Sequence, residues 1–374
     1  MIRVGVLTSS RADYGIYLPL LKALKQESNF ELRLIAFGTH LSKFHGYTLK
    51  QIEQDGFVPY ATVESLLVGD TPNAISTSYA LTNLKFADFW SHHHNQFDIV
   101  FALGDRFEMA AAVAAAVPYD LSIAHLHGGE TTLGAIDNIY RHSISLASAL
   151  HFVSSDVFVN RIQNILDIPS KHVYNIGSLS LENLDSLALL SKEEFIEKWN
   201  IDLNIDSILV TVHPETVAFD QNEKYSVEIT KALRTLAKDS QIIITIPNAD
   251  TSGIIYRDSF EALGKEFETV KIIENFGTQS YFTCMKYAKL LIGNTSSGIV
   301  EAASFGKYVL NIGDRQKGRL AGENVIHIPF NSQEIIAQVN QFIGKEFEGY
   351  NPYYQPKPSA RIIEILKQSY ASLS

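Results

Sequence analysis

Apolar runs of strand length alternate with helical patterns along nearly the whole chain. In the first half the runs fall at residues 3–7, 32–37, 98–103, 121–125 and 150–153. Helical patterns lie between them, at 18–24, in the small-residue stretch FEMAAAVAAAV (107–117) and at about 138–147. Runs that are apolar throughout, with no alternation, mark parallel strands covered on both faces. Their alternation with helices predicts a doubly wound α/β arrangement. The pattern breaks at residues 175–178 and in the polar run up to about residue 192, then restarts at 208–212, 242–245, 270–273, 290–292 and 308–312. The expectation is two α/β domains, residues 1–184 and 185–355, without a disordered linker. An amphipathic segment at 360–366 follows the Pro-rich crossing NPYYQPKP, so residues 356–374 are expected to return to the first domain.

A chain of 374 residues suits two such domains. Its 46% hydrophobic and 19% charged residues describe a well-packed protein. A formal net charge of −10 argues against a nucleic-acid partner, which needs a basic face. A small phosphorylated ligand is still admissible, since local Arg residues and helix termini can hold one. The lone cysteine, Cys284, excludes an intrachain disulfide and is expected to be a buried structural thiol. No apolar run reaches the length of a membrane span and the N-terminus carries no signal-peptide pattern, so a cytoplasmic location is expected.

Ligands of open α/β sheets bind at the carboxyl ends of the strands, and there the sequence places its chemistry. The turn from Gly293 to Gly298, leading into a helix from about Ile299, offers N–H groups and hydroxyls to an anion. It reads equally as an N-cap by Ser296 or Ser297 with Glu301 in the first turn. Arg11, in SSRADYG after the first run, can fork onto phosphate oxygens or pair with Asp13 on the surface. Asp105 can point into a cleft or cap the next helix, with Glu108 completing a capping box. In HLHGGE, His125, His127 and Glu130 match no common zinc spacing, so acid–base work by Glu130 or His127 is the stronger reading, and no metal is expected. The double glycine would let backbone approach a ligand closely. Asp137 heads a helix with Arg141 and His142 one turn on. His213 is stopped at the carboxyl end of its strand by Pro214, Asn248 stands at the next strand end, and Arg315, Lys317 and Arg319 load the loop GDRQKGR with cations.

Taken together, GDRFE, HLHGGE, GAIDN with RH close behind, HPET, PNADTSG, GNTSSG and GDRQKGR resemble, in order and spacing, the bacterial hydrolysing UDP-N-acetylglucosamine 2-epimerases. The resemblance spans nearly the whole chain. It implies two Rossmann-like domains facing a cleft, as in the GT-B glycosyltransferases, with the nucleotide on the second domain. It implies a reaction without cofactor: UDP is eliminated as a carboxylate removes the C2 proton, and water adds to the glycal to release the free 2-epimer, N-acetylmannosamine, for sialic acid synthesis. UDP-sugar and UDP are the implied ligands, and a homodimer or homotetramer the implied assembly.

By the same resemblance Asp105, Glu130 and Asp137 occupy the acidic catalytic positions, their roles undivided, and His213 lies by the diphosphate. Arg11, Ser296, Ser297 and Gly298 are implied to hold phosphates and Glu301 the ribose hydroxyls. Arg141, Asn248, Arg315 and Arg319 complete the substrate-binding set. Non-hydrolysing members and the animal enzyme carry Glu where this chain has His127, so Glu130 of GGE is the expected acid, with His127 beside it. The same chemistry on a 2,4-diacetamido-trideoxy sugar nucleotide is the alternative. A non-hydrolysing epimerase, a GT-B glycosyltransferase or a nucleotide-sugar sensor without turnover are more distant ones.

Overall fold

The apolar runs assemble into two separate sheets, every strand pairing of which is parallel. The computed structural model describes all residues except Asp70 and residues 134–135, 168–171, 216–218, 247–252 and 372–374. Two units emerge: the first is Met1–Glu130, Ile136–Asn183 and Tyr353–Ser374, the second Thr131–Ala135 and Leu184–Pro352.

In the first unit β1 (Ile2–Thr8), β2 (Phe30–Phe37), β3 (Ala61–Val63), β4 (Ile99–Leu103), β5 (Ile123–Leu126), β6 (Leu150–Val153) and β7 (Val173–Asn175) lie in the order β3-β2-β1-β4-β5-β6-β7. In the second, β8 (Ser207–Thr211), β9 (Gln241–Thr245), β10 (Val270–Ile273), β11 (Leu290–Gly293), β12 (Val309–Ile312) and β13 (Val325–Ile328) lie in the order β10-β9-β8-β11-β12-β13. Central strands such as β4 and β11 are buried at every residue, which is why their sequences are apolar on both faces. The strands that periodicity does not reveal, β3, β7 and β13, are short edge strands with partly open residues, so no continuous apolar run announces them.

Each sheet starts in its middle and reverses direction once, between β1 and β4 and between β8 and β11. Such a reversal opens a crevice at the carboxyl ends of the two strands involved. The loops that follow β1, β4, β8 and β11 are therefore the places to look for a site.

Helix Pro358–Ala371 belongs to the first unit. Its Ile362, Ile363, Ile365 and Leu366 share one core with Tyr17, Leu20, Leu21 and Leu24 of helix Arg11–Gln26. Polar contacts fix the register: Lys367 Nζ lies 2.7 Å from Glu27 and the Tyr370 hydroxyl donates to the Asp98 carbonyl at 2.7 Å. Cys284 is fully buried, and burial raises its thiol pKa, which suits an inert structural thiol. No described helix is long and apolar enough to cross a membrane.

Candidate active site

The loop after β1 is folded around Asp13. Its buried carboxylate accepts from Thr8 Oγ1 (2.8 Å), Ser9 N (2.8 Å), Ser10 N (2.9 Å) and Tyr14 N (2.7 Å). Ser10 and Asp13 form a reciprocal capping box at the start of helix Arg11–Gln26. The surface pair between Arg11 and Asp13 therefore does not form: Asp13 is spent on backbone donors, and Arg11 is exposed on the first turn.

At the end of β4 the expected capping box is also replaced. Arg106, not Asp105, is the N-cap of helix Phe107–Ala116, and it has no side-chain cap. Glu108 turns instead to the Arg106 guanidinium, at 2.7 and 3.2 Å. A carboxylate bond to a backbone N–H is charge-assisted too, but the neighbouring guanidinium offers Glu108 a full cation and two donors. Asp105 is thereby left to pair with Arg141 Nη2.

Arg141 is the hub of this half of the site. It lies on helix Asp137–Leu146, is only 2% exposed, and also faces Glu130, whose Oε2 is 3.5 Å from Nη1. Burial works against its charge, yet Asp105 and Glu130 more than offset that and raise its pKa. Glu130 Oε1 accepts from Ser154 Oγ at 2.8 Å and contacts His127 Nδ1 at 2.8 Å. Ser154 belongs to none of the sequence motifs, yet it directly follows β6, so the strand-end rule is the signal that could have found it.

His127 is held at φ +62°, in the left-handed region that side chains other than Gly rarely adopt. Its N–H donates to the Phe152 carbonyl (3.0 Å), which fixes this conformation at the carboxyl end of β5. With Nδ1 against Glu130, its buried Nε2 has no partner among the described residues. A carboxylate-backed imidazole with its second nitrogen open is the standard arrangement for moving a proton.

The double glycine serves the protein's own packing, not ligand approach. Gly129 has φ +77°, and a Cβ there would sit 2.9 Å from the Phe158 carbonyl oxygen. His125 is a strut: Nε2 lies 2.9 Å from the Gly104 carbonyl and Nδ1 2.9 Å from Ser145 Oγ. The carbonyl can only accept, so Nε2 carries the hydrogen and Nδ1 accepts from Ser145. This neutral ring ties the residue before Asp105 to the helix that carries Arg141. Asp137 is the first residue of that helix, not its cap, and lies one turn before Arg141 and two before Ser145 on the same face. Among the described residues no group of three or more His, Cys, Asp or Glu side chains could hold a metal.

The second unit builds a tight small-residue turn at its own strand reversal. Asn294 bridges the two loops there: its Oδ1 accepts from His213 N at 2.7 Å and its Nδ2 donates to the His213 carbonyl at 2.9 Å. Helix Ser296–Val300 is capped by Thr295, whose hydroxyl accepts from Gly298 N at 3.2 Å, so neither Ser296 nor Ser297 is the cap. The N–H groups of Ser296 and Ser297 stand at the open first turn. Ser297 Oγ shares hydrogen bonds of 2.9 Å each with Tyr281 and Thr295, while Ser296 is exposed. Gly298 is packed so closely that a Cβ would come within 3.1 Å of Val309. Glu301, buried, ends the helix.

The GDRQKGR loop is anchored to the loop after β8. Buried Glu215 accepts from Asp314 N (2.6 Å), Arg315 Nη1 donates to the Pro214 carbonyl (2.8 Å) and Gln316 Nε2 to the Asn294 carbonyl (2.8 Å). Arg319 Nε reaches Thr132 Oγ1 at 3.3 Å. His213 Nδ1 is buried without a partner among the described residues. Asn248 lies outside the described residues. The structure thus gathers Asp105, Glu130, His127, Arg141 and Asp137 in the first unit, and His213, Ser297, Gly298 and Arg315 in the second. Of the bracing residues, Asn294 and Glu215 lie inside GNTSSG and HPET without being singled out there, and Tyr281 belongs to no motif.

Three buried histidines make a pH prediction. Burial lowers the imidazole pKa to about 3 at His125, to about 4 at His151, and, with Arg315 adding its charge, to about 4 at His213. Unfolding restores the ordinary value of about 6.5, so below it the unfolded chain binds more protons and stability falls as pH falls. Each contributes about 1 kcal/mol of loss between about pH 6 and pH 5, roughly 3 kcal/mol together. Urea midpoints that stay level over that interval would show that these rings are protonated in the folded state.

Comparison with known proteins places this geometry. The profile of a family described as UDP-N-acetylglucosamine 2-epimerase matches residues 22–367. A GDP/UDP-N,N'-diacetylbacillosamine 2-epimerase (hydrolyzing) from Campylobacter jejuni is 34% identical over 330 residues, 88% of this chain and 85% of that protein. The polysialic acid biosynthesis protein P7 of Escherichia coli is 33% identical over 372 residues, 98% of this chain and 94% of that one. Among solved structures, UDP-GlcNAc 2-epimerase from Neisseria meningitidis bound to UDP-GlcNAc superposes with a TM-score of 0.80 at 19% identity, covering 98% of this chain and 100% of that one.

Proposed function

The chain belongs to the UDP-N-acetylglucosamine 2-epimerase family, and from that premise we propose that it is a hydrolysing member converting UDP-N-acetylglucosamine and water to N-acetylmannosamine and UDP. The observation that carries this reading is the set of acids and His127 around one buried Arg141 at the ends of β4 and β5. The C2–H of a sugar is a weak acid, so its removal needs an oriented, desolvated base. Glu130, backed by Ser154 and Arg141 and joined to His127, has that setting. As the proton leaves C2 the bond from C1 to the diphosphate oxygen breaks, and the electron pair departs with UDP to leave a 2-acetamidoglucal. Water then adds, hydroxyl to C1 and proton to C2 on the opposite face, and Asp105, Asp137 and His127 are the groups available to deliver them.

The developing charge on the departing diphosphate asks for fixed donors. In the second unit these are the open first turn at Ser296 and Ser297, neutral His213 and Arg315, with Arg319 as a further cation and Glu301 for the ribose hydroxyls; Arg11, of the first unit, is a further candidate cation. No cofactor enters the reaction.

A second substrate has a specific observation in its favour. Two of the relatives, from Campylobacter jejuni at 34% identity and from Legionella pneumophila at 29%, are named as hydrolysing N,N'-diacetylbacillosamine 2-epimerases. A 4-acetamido sugar is therefore the competing occupant of the same chemistry. Proton NMR in deuterium oxide separates the cases. Free UDP with N-acetylmannosamine deuterated at C2 is the expected result, and the same pattern only with the 2,4-diacetamido nucleotide moves the assignment to that sugar. A UDP-linked 2-epimer would overturn the hydrolysing reading, and no turnover of either nucleotide would overturn the enzyme assignment.

A further inference from the structure

The amino-terminal end of the second sheet, opposite the carboxyl ends of its strands, carries a cavity of about 190 Å³ whose lining includes Lys192, Lys286, Lys289, Lys307 and Lys345. Only Asp206 and Glu346 oppose them there, a surplus of three positive charges, five against two, in a chain whose net charge is −10. The fold brings them together. Asp206 directly precedes β8, Lys289 directly precedes β11, and Lys307 stands just before β12.

The lysines are poorly matched within the protein. Lys289 is 3.5 Å from Asp206, and Lys192 donates to Asn204 Oδ1 at 3.1 Å. The ammonium groups of Lys286, Lys307 and Lys345 make no hydrogen bond or ion pair among the described residues. The Tyr287 ring collects two of the cations, with Lys192 Nζ 5.1 Å and Lys286 Nζ 5.5 Å from its centroid. Lys307 is half-buried, and burial pulls its ammonium below the ordinary pKa, Glu346 opposing and Lys289 adding to the effect. Like charges converging on one concavity repel each other, and the field they create draws in an anion.

We infer that this cavity is a binding site for a compact oxyanion carrying two or more adjacent negative charges, a diphosphate or a tricarboxylate. Its volume lies below the roughly 300–1,000 Å³ of ordinary small-molecule pockets, which favours a small anion over a whole nucleotide-sugar. It is also separate from the Ser296–Ser297 turn: the five steps from Lys289 to Asn294 along β11 span about 16 Å.

Calorimetric titration of the full chain with inorganic pyrophosphate and, in parallel, citrate tests this, with saturating UDP and again without it. With UDP present, at least one anion is expected to bind at a single site, and Lys286→Gln with Lys345→Gln to weaken it about tenfold or more. Both side chains are exposed, so the double variant folds, and neither belongs to the catalytic or nucleotide-binding set, so turnover stays unchanged. Binding of pyrophosphate alone identifies a phosphate ligand and of citrate alone a carboxylate one, and either supports the site. Should the native chain bind neither anion, or the double variant bind as tightly as the native chain, the inference is overturned. Without UDP, the weakening seen in the double variant relative to the native chain reads this cavity alone, whatever the result of the epimerase assay.

Discussion

Glu130→Gln is expected to lower turnover of the UDP-sugar by about a hundredfold or more while leaving UDP affinity nearly unchanged. The amide keeps the size of the carboxylate and can still meet Ser154 and His127, so the change removes charge and basicity and little else. In the native protein Oε1 touches His127 and Ser154, and Oε2 faces Arg141. A group that acts in the transition state is read in kcat, whereas the residues expected to hold the diphosphate, Arg11 apart, lie in the other unit. Steady-state kinetics with a parallel UDP titration measures both. Near-native turnover would remove Glu130 from proton transfer and shift that role to Asp105, for which Asp105→Asn is the matching variant.

Arg141→Met should have the largest effect on stability, a loss of about 3–5 kcal/mol. The guanidinium is buried between Asp105 and Glu130, and its removal leaves two carboxylates without the cation they share. Methionine fills much of the space, so the loss reports charge and not a cavity. A second substitution separates the causes: adding Glu130→Gln to Arg141→Met should restore part of the lost stability, because one of the stranded charges is gone. Urea unfolding of the single and double variants measures it. Additive losses would mean that Arg141 stabilises the unit by packing alone.

The sheets are legible in the sequence because strands buried on both faces must be apolar at every position, as β4 is, and nothing else in a charged chain looks like them. Edge strands such as β3 and β13 escape because half-open residues erase that signature. The reversal points, and hence the loops bearing Asp105, His213 and Ser297, follow from strand order once the sheets are known. Side-chain partners are another matter. Asp105 could cap its own helix by local rules, yet Arg141, 36 positions away, takes it. Asp13 turns to backbone N–H groups instead of Arg11, and Glu108 to Arg106 instead of a capping bond. In each case the competitors differ by about a kcal/mol, and the packing of helices and loops selects among them. Packing likewise decides His125, which stands in the HLHGGE motif and is made a neutral strut by its two hydrogen bonds.

The position of helix Pro358–Ala371 also bears on how the chain is made. Ordinarily an N-terminal domain can finish folding while the ribosome is still producing the next one. Here Ile362 and Leu366 complete the core beside Leu20 and Leu24, and Glu27 meets Lys367 across 340 positions. The first unit is therefore born with an uncovered apolar face that stays open through translation of the whole second unit. Emergence of residues 358–371, not of residue 184, is the event that allows it to close, and a chain stopped before them would present that face to chaperones and proteases.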